Sequence, residues 1–177
     1  MNWQAFSQVM WGISDLCFSA YDRLQETEGS AAPCRAAARS GGADFQSQMI
    51  AFGHAAGLGT PRFRNRSASF TVAARGVQYL VVLTPGPNVL ITSAFSHVTF
   101  PEGVPAELVS LIPRLNRNIA SGCSYDEVEH DDGVSFYISK MVQPHEYTQE
   151  RLEAIVVELA TRISSLDRVL KQYGYGD

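Results

Sequence analysis

Residues 69–100, SFTVAARGVQYLVVLTPGPNVLITSAFSHVTF, decide the fold. Phe70, Val72 and Ala74 alternate with Ser69, Thr71 and Ala73, the two-residue period of a strand with one buried face. Arg75-Gly76 reads as a turn. Val77 to Leu83 is a nearly continuous apolar run rich in β-branched residues, which suits a central strand. Pro85-Gly86-Pro87-Asn88 is a second turn signal. Val89 to Phe100 supplies the next strand, with Leu90, Thr92 and Ala94 on one side and Ile91, Ser93 and Phe95 on the other. Together these segments predict an antiparallel meander.

Toward the C-terminus, Pro101-Glu102-Gly103 ends the meander. Leu108, Leu111, Ile112, Leu115 and Ile119 keep helical spacing, with Pro105 suited to a first turn. Pro113 falls inside that span and predicts a kink or break near Leu111-Ile112. Gly122 closes the element. Tyr125 to His130 and Val134 to Met141 then form a hairpin across Asp131-Asp132-Gly133. Leu152, Ile155, Val156, Leu159, Ile163, Leu166, Val169 and Leu170 mark a long amphipathic helix from Thr148 to about Gln172. Glu150 and Lys171 sit at the ends of it that suit their charges.

Toward the N-terminus, Phe45, Met49, Phe52 and Ala56 predict a shorter helix over 44–57, with Asp44 as its N-cap and Gly57-Leu58-Gly59 as its stop. Residues 26–43 are small, polar and rich in Gly and Pro, and read as a flexible linker. Residues 1–25 read as an N-terminal amphipathic helix. Trp3, Phe6, Met10, Ile13, Cys17, Tyr21 and Leu24 recur at three- and four-residue steps, widened by Val9, Trp11, Leu16 and Phe18. Burying one such aromatic stabilises by about 1.5–3 kcal/mol, so the stripe calls for a packing surface, in this chain or on a partner.

The order helix, linker, helix, three strands, helix, two strands, helix is that of an α+β domain, one antiparallel sheet of about five strands with helices on one face. Its length of 177 residues fits one such domain, over 44–177, plus the N-terminal arm. The hydrophobic share of 45% supports a packed core. The net charge of −4 disfavours a nucleic-acid binder and adhesion to an anionic membrane. The N-terminus carries no Lys or Arg before its apolar run, so a secretory signal is not indicated. Gln4, Gln8, Asp15 and Asp22 interrupt that run, so a spanning helix is not either. These readings place the protein in the cytoplasm, where Cys17, Cys34 and Cys123 are expected to be reduced thiols.

No cluster names a reaction. There is no GxSxG elbow, no CxxC and no HExxH. Glu129-His130-Asp131-Asp132 resembles a metal cluster, but strand neighbours point to opposite faces and the two aspartates fit a turn. Gly57-Leu58-Gly59 precedes Pro61 and a strand, the wrong order for a phosphate cradle. No cofactor or metal is therefore expected. Arg62, Arg64 and Arg66 would share one face at the start of the first strand, the pattern of a charge-protected edge.

The element order, the Leu115-Asn116-Arg117-Asn118 end of the middle helix, Gly122, the Asp131-Asp132-Gly133 hairpin and the helix from Thr148 resemble the type III secretion chaperone-like fold, and within it the YbjN-like proteins. The resemblance covers about residues 44–173. Pro113 departs from it, in the helix that helps form dimers in secretion chaperones, and so does the additional N-terminal helix. What the resemblance implies is a non-enzymatic, homodimeric, chaperone-like protein that holds an extended peptide segment of a client through sheet edges and the outer sheet face. Tyr79, Phe95 and Tyr137 are then the candidate peptide contacts. Two other classes stay open. One is a regulatory adaptor docking through the N-terminal helix. The other is a small hydrolase or nucleotide-binding enzyme, which would need His97 to meet Asp131 or Cys123.

Overall fold

A computed structural model describes residues 37–117, 119, 122–143 and 146–176, with side chains from 44 onward. The helix and most of the linker expected over 1–36 lie outside the described residues. The described elements run α1 (Ala37–Ala55), β1 (Arg62–Arg64), β2 (Ser67–Ala74), β3 (Val77–Gly86), β4 (Val89–Phe100), α2 (Leu111–Arg117), β5 (Cys123–His130), β6 (Gly133–Val142) and α3 (Gln149–Gln172). This is an α+β fold around one open antiparallel sheet of order β1-β2-β3-β4-β6-β5.

The meander forms as its alternation dictates. Ala74 pairs with Val77 across Arg75-Gly76, whose φ angles of 53° and 81° are both left-handed, as a type I′ hairpin requires. Gly86 pairs with Val89 across Pro87 and Asn88, with Asn88 at φ 65°. Pro first and a left-handed Asn second is the residue order of a type II turn. The β5–β6 hairpin turns through Asp131-Asp132, and Gly133, at φ 128°, already belongs to β6, paired with His130. A Cβ on Gly133 would stand 2.3 Å from the Phe100 carbonyl oxygen, so glycine is also required by close approach.

Several expectations are corrected. The sheet has six strands, because Arg62–Arg64 folds back on β2 through Asn65 (φ 51°) and Arg66. Arg66 therefore sits in a turn and does not share a strand face with Arg62 and Arg64. The first described helix starts at Ala37, so the end of the expected linker is helical. Asp44 is then inside the helix and no N-cap; its Oδ2 accepts from Gln48 Nε2 at 2.9 Å, one turn on. The middle helix begins at Leu111, two residues before Pro113. The proline lies in its first turn, where a missing N–H costs nothing, and residues 106–110 ahead of it are turn, so the break expected near Leu111-Ile112 is where the helix begins. Val169, expected on the buried stripe of the last helix, is 38% exposed.

That last helix, α3, is otherwise as its periodicity predicts. The Thr148 hydroxyl caps it by accepting from the Arg151 N–H at 3.2 Å. Leu152, Ile155, Val156, Leu159, Ile163, Leu166 and Leu170 are buried on the sheet. Residues from α1, α2 and α3 all join one core with the even-numbered residues of β2, β4 and β6 and the odd-numbered residues of β3 and β5. The helices thus share one face of the sheet. The opposite face carries a separate apolar cluster of Val82, Phe95 and Val128, flanked by Leu80 and Tyr137.

Candidate functional site

At the β3–β4 hairpin end of the sheet, α1 and the start of α3 diverge and leave a groove with a volume of about 530 Å³. Phe45, Met49 and Phe52 line it from α1, at the four- and three-residue steps that put them on one helical face. Val89 and Leu90 line it from β4, and Leu152 from the first turn of α3. Each wall has a local cause. The Phe52 ring meets Phe70 edge-on at 5.5 Å, which fixes α1 against β2. The close approach of α1 also requires Gly53, where a Cβ would lie 2.2 Å from the Gly59 carbonyl oxygen and 2.7 Å from the Phe70 ring. The Pro87-Asn88 turn closes one end, and the Thr148 cap fixes where α3 begins.

The chemistry of the lining is narrow. Gln48, Asn88 and Gln149 place carboxamides at the groove, and Tyr147 adds a phenol. Burial raises the Tyr147 pKa above its usual value, so the phenol stays neutral. Among the described residues, no His, Cys, Asp, Glu, Lys or Arg belongs to the lining. The groove can take apolar groups and pair amide with amide. Its described residues offer nothing to neutralise a phosphate or a carboxylate, and no imidazole or carboxyl for proton transfer.

The sequence-derived candidates separate onto two faces. Phe95 and Tyr137 are register partners on β4 and β6 and stack at 5.7 Å between centroids, on the face away from the helices. Phe95 is nevertheless 4% exposed. Tyr79 is not with them. It is 3% exposed in the core between sheet and helices, because it shares its strand parity with Val81 and Leu83. It is therefore not an accessible peptide contact.

Tyr79 belongs to a buried polar cluster instead. Its ring lies 4.7 Å from that of His97, and its hydroxyl is directed to Asp167 and Ser164 of α3. The Asp167 Oδ1 accepts from the Ser96 hydroxyl at 2.5 Å, and Oδ2 accepts from the His97 backbone N–H at 3.0 Å. Ser96 shares its strand parity with Ala94 and Val98 and so faces α3, and the β4–β6 register slips just there, between Phe95 and Thr99. Burial raises the Asp167 pKa, outweighing the hydrogen bonds that favour its charged form. Burial likewise raises the Tyr79 pKa. Ser96 donates directly to the carboxylate, whereas a nucleophilic serine needs an imidazole in between. With Ser96 at 1% and Asp167 at 3% exposure, the cluster fastens α3 to the sheet.

His97 thus meets Tyr79 and Asp167. The Cys123 Sγ stands 4.0 Å from Glu158, whose carboxylate also pairs with Lys140 at 3.4 Å and Arg162 at 2.9 Å. Among the described residues, no group of His, Cys, Asp or Glu is placed to hold a metal ion. No described helix is long and apolar enough to cross a membrane. Sequence reasoning missed the groove. Its walls come from segments about a hundred residues apart, and only the helical step of Phe45, Met49 and Phe52 was a local signal. No protein-family model and no curated protein matches the chain.

Proposed function

We propose that this chain is a non-enzymatic, chaperone-like protein of the cytoplasm that holds an extended apolar segment of a client protein in the groove between α1, the β3–β4 hairpin and α3. The observation that carries the reading is the lining, with apolar walls, a carboxamide rim and no charged side chain among the described residues. A volume of about 530 Å³ lies within the range of roughly 300–1,000 Å³ typical of binding pockets. Apolar client side chains would leave water in the groove, and Gln48, Asn88 and Gln149 would pair with the client backbone.

The sheet edges are the less favourable route. Arg62 and Arg64 are exposed on β1, and Asp126, Glu127 and Glu129 are exposed on β5. Charges on short or outer strands oppose the addition of another strand. The homodimer implied by the resemblance belongs to the same proposal, and light scattering on the full chain reads it.

The test is a titration of the full chain into labelled ten-residue peptides of alternating apolar and polar residues, with polar-only peptides of equal length as controls. Saturable binding of the apolar set is expected. Absence of binding across the set, or equal binding of the controls, overturns the reading.

A further inference from the structure

Asn116, in the last turn of α2, sets its carboxamide against the backbone of β5. Its Nδ2 donates to the Tyr125 carbonyl oxygen at 2.9 Å, and its Oδ1 accepts from the Tyr125 N–H at 2.7 Å. In an antiparallel ladder the N–H and C=O of one residue face the same side, so both groups of Tyr125 point away from β6. β5 is the last strand of the sheet, and that side is its outer edge. A carboxamide carries a donor and an acceptor in one plane, as a peptide unit does. The Asn116 side chain therefore stands where the backbone of an added strand would pair. Two residues on, Glu127 faces outward in the same way, and its N–H donates to the Asp126 Oδ1 at 2.8 Å. Both outward N–H groups at the middle of β5 are taken from within the chain.

The placement of Asn116 has local causes. Ile112 is buried, and Leu111 and Leu115 pack against the core, so the apolar side of α2 is held in the helix layer. Gly122, at φ 68°, turns the chain into β5. Asn116 itself is exposed at the rim, beside the strand it bonds.

An unprotected strand edge is a template for another chain. The two edges of this sheet carry opposite charges. Arg62 and Arg64 are exposed on β1, and Asp126, Glu127 and Glu129 are exposed on β5. The acidic edge opposes an apolar or acidic strand but attracts a basic one, and β1 of a second copy is basic. A contact of β5 with the β1 of another copy joins two different surfaces, so it can repeat from copy to copy.

We infer that Asn116 is a lock on the β5 edge, which without it takes the β1 strand of a second copy and extends the sheet head to tail. The lock lies apart from the groove and does not depend on it.

The test compares the full chain with Asn116→Ala by light scattering over a concentration series, with circular dichroism as the check on folding. The residue is exposed, so truncation leaves no cavity. The mass of Asn116→Ala is expected to rise with concentration beyond that of the wild type. In dilute solution its Tyr125 amide should exchange about tenfold faster or more, because the edge is then open to water. Adding Arg62→Glu and Arg64→Glu to Asn116→Ala should restore the wild-type mass and leave the fast exchange in place. Should Asn116→Ala fold poorly, Asn116→Ser, too short to bridge both groups of Tyr125, gives the same reading. Wild-type mass at every concentration, Tyr125 exchange that does not quicken, or growth that the two glutamates leave unchanged would each overturn the inference.

Discussion

Ser96 and Asp167 are 71 residues apart in the chain, and the hydroxyl of one donates to the carboxylate of the other at 2.5 Å. The same carboxylate accepts from the His97 N–H at 3.0 Å, so one acid on α3 satisfies two donors of the irregular stretch of β4. Replacing Asp167 with Ala leaves both buried donors without their acceptor, at roughly 1–3 kcal/mol for each. Asp167→Ala is expected to lower the urea midpoint strongly with little change in m-value, whereas Val169→Ala, at the exposed end of the same helix, should leave it nearly unchanged.

Asp167 also sets a pH dependence. Its folded pKa is raised, chiefly by burial, so the folded state binds its proton at a pH where the unfolded chain has released it. Stability from this group is full below the ordinary carboxylate range and is lost as pH rises through the raised value. His130 acts the other way. Burial lowers its pKa, so it disfavours the folded state as pH falls below the usual histidine range. Stability measured against pH should fall less steeply on the acid side in His130→Gln. In Asp167→Asn it should lose the decline that sets in at the ordinary carboxylate range and ends at the raised pKa of Asp167.

Arg75 occupies a left-handed conformation, φ 53°, that a type I′ turn demands and that arginine tolerates poorly. Arg75→Asn is expected to stabilise the protein by about 0.5–1 kcal/mol, read as a raised denaturation midpoint. A lowered midpoint would show that the arginine side chain does more than occupy the turn.

Gly133 is the opposite case. At φ 128°, with the Phe100 carbonyl oxygen in the place of a Cβ, it admits no side chain. Gly133→Ala should cost more than about 2 kcal/mol, from backbone strain together with the displacement of Phe100 and Pro101. The hairpin's own pairs, His130 with Gly133 and Glu129 with Val134, are the ones whose amide exchange should accelerate first.

Much of this fold was legible in the chain because its strongest elements are local. The alternation from Phe70 to Phe100, the Asp131-Asp132-Gly133 turn and the stripe from Leu152 to Leu170 each state their period within one segment. Strand β1 was missed because three residues, Arg62-Phe63-Arg64, are too few to show a period, and its turn, Asn65-Arg66, carries no glycine. The start of α1 was missed because Ala37 to Ala43 contains only small residues, one arginine and two glycines, with no apolar face. Tyr79 was readable but misplaced, since strand parity already grouped it with Val81 and Leu83. The groove and the Ser96–Asp167 contact were not readable, because both exist only once α3 has returned across the sheet.

Ala51 offers a way to disturb the groove without touching the core, since it lines the groove from an exposed helical position. Ala51→Glu places a charge in the apolar lining while keeping a good helix former. It should weaken peptide binding about tenfold, equivalent to roughly 1.4 kcal/mol, with an unchanged denaturation midpoint. A midpoint and an affinity that both stay at wild-type values would remove the groove from the binding surface.

The most direct test of the proposed function is a map of where a peptide binds. In a titration of the isotopically labelled full chain with the tightest peptide of the apolar set, the account predicts amide shifts at Met49, Phe52, Asn88, Leu90 and Leu152. It predicts none of comparable size at Val82, Phe95 or Tyr137. Shifts confined to the sheet face, or to the edges β1 and β5, would contradict it.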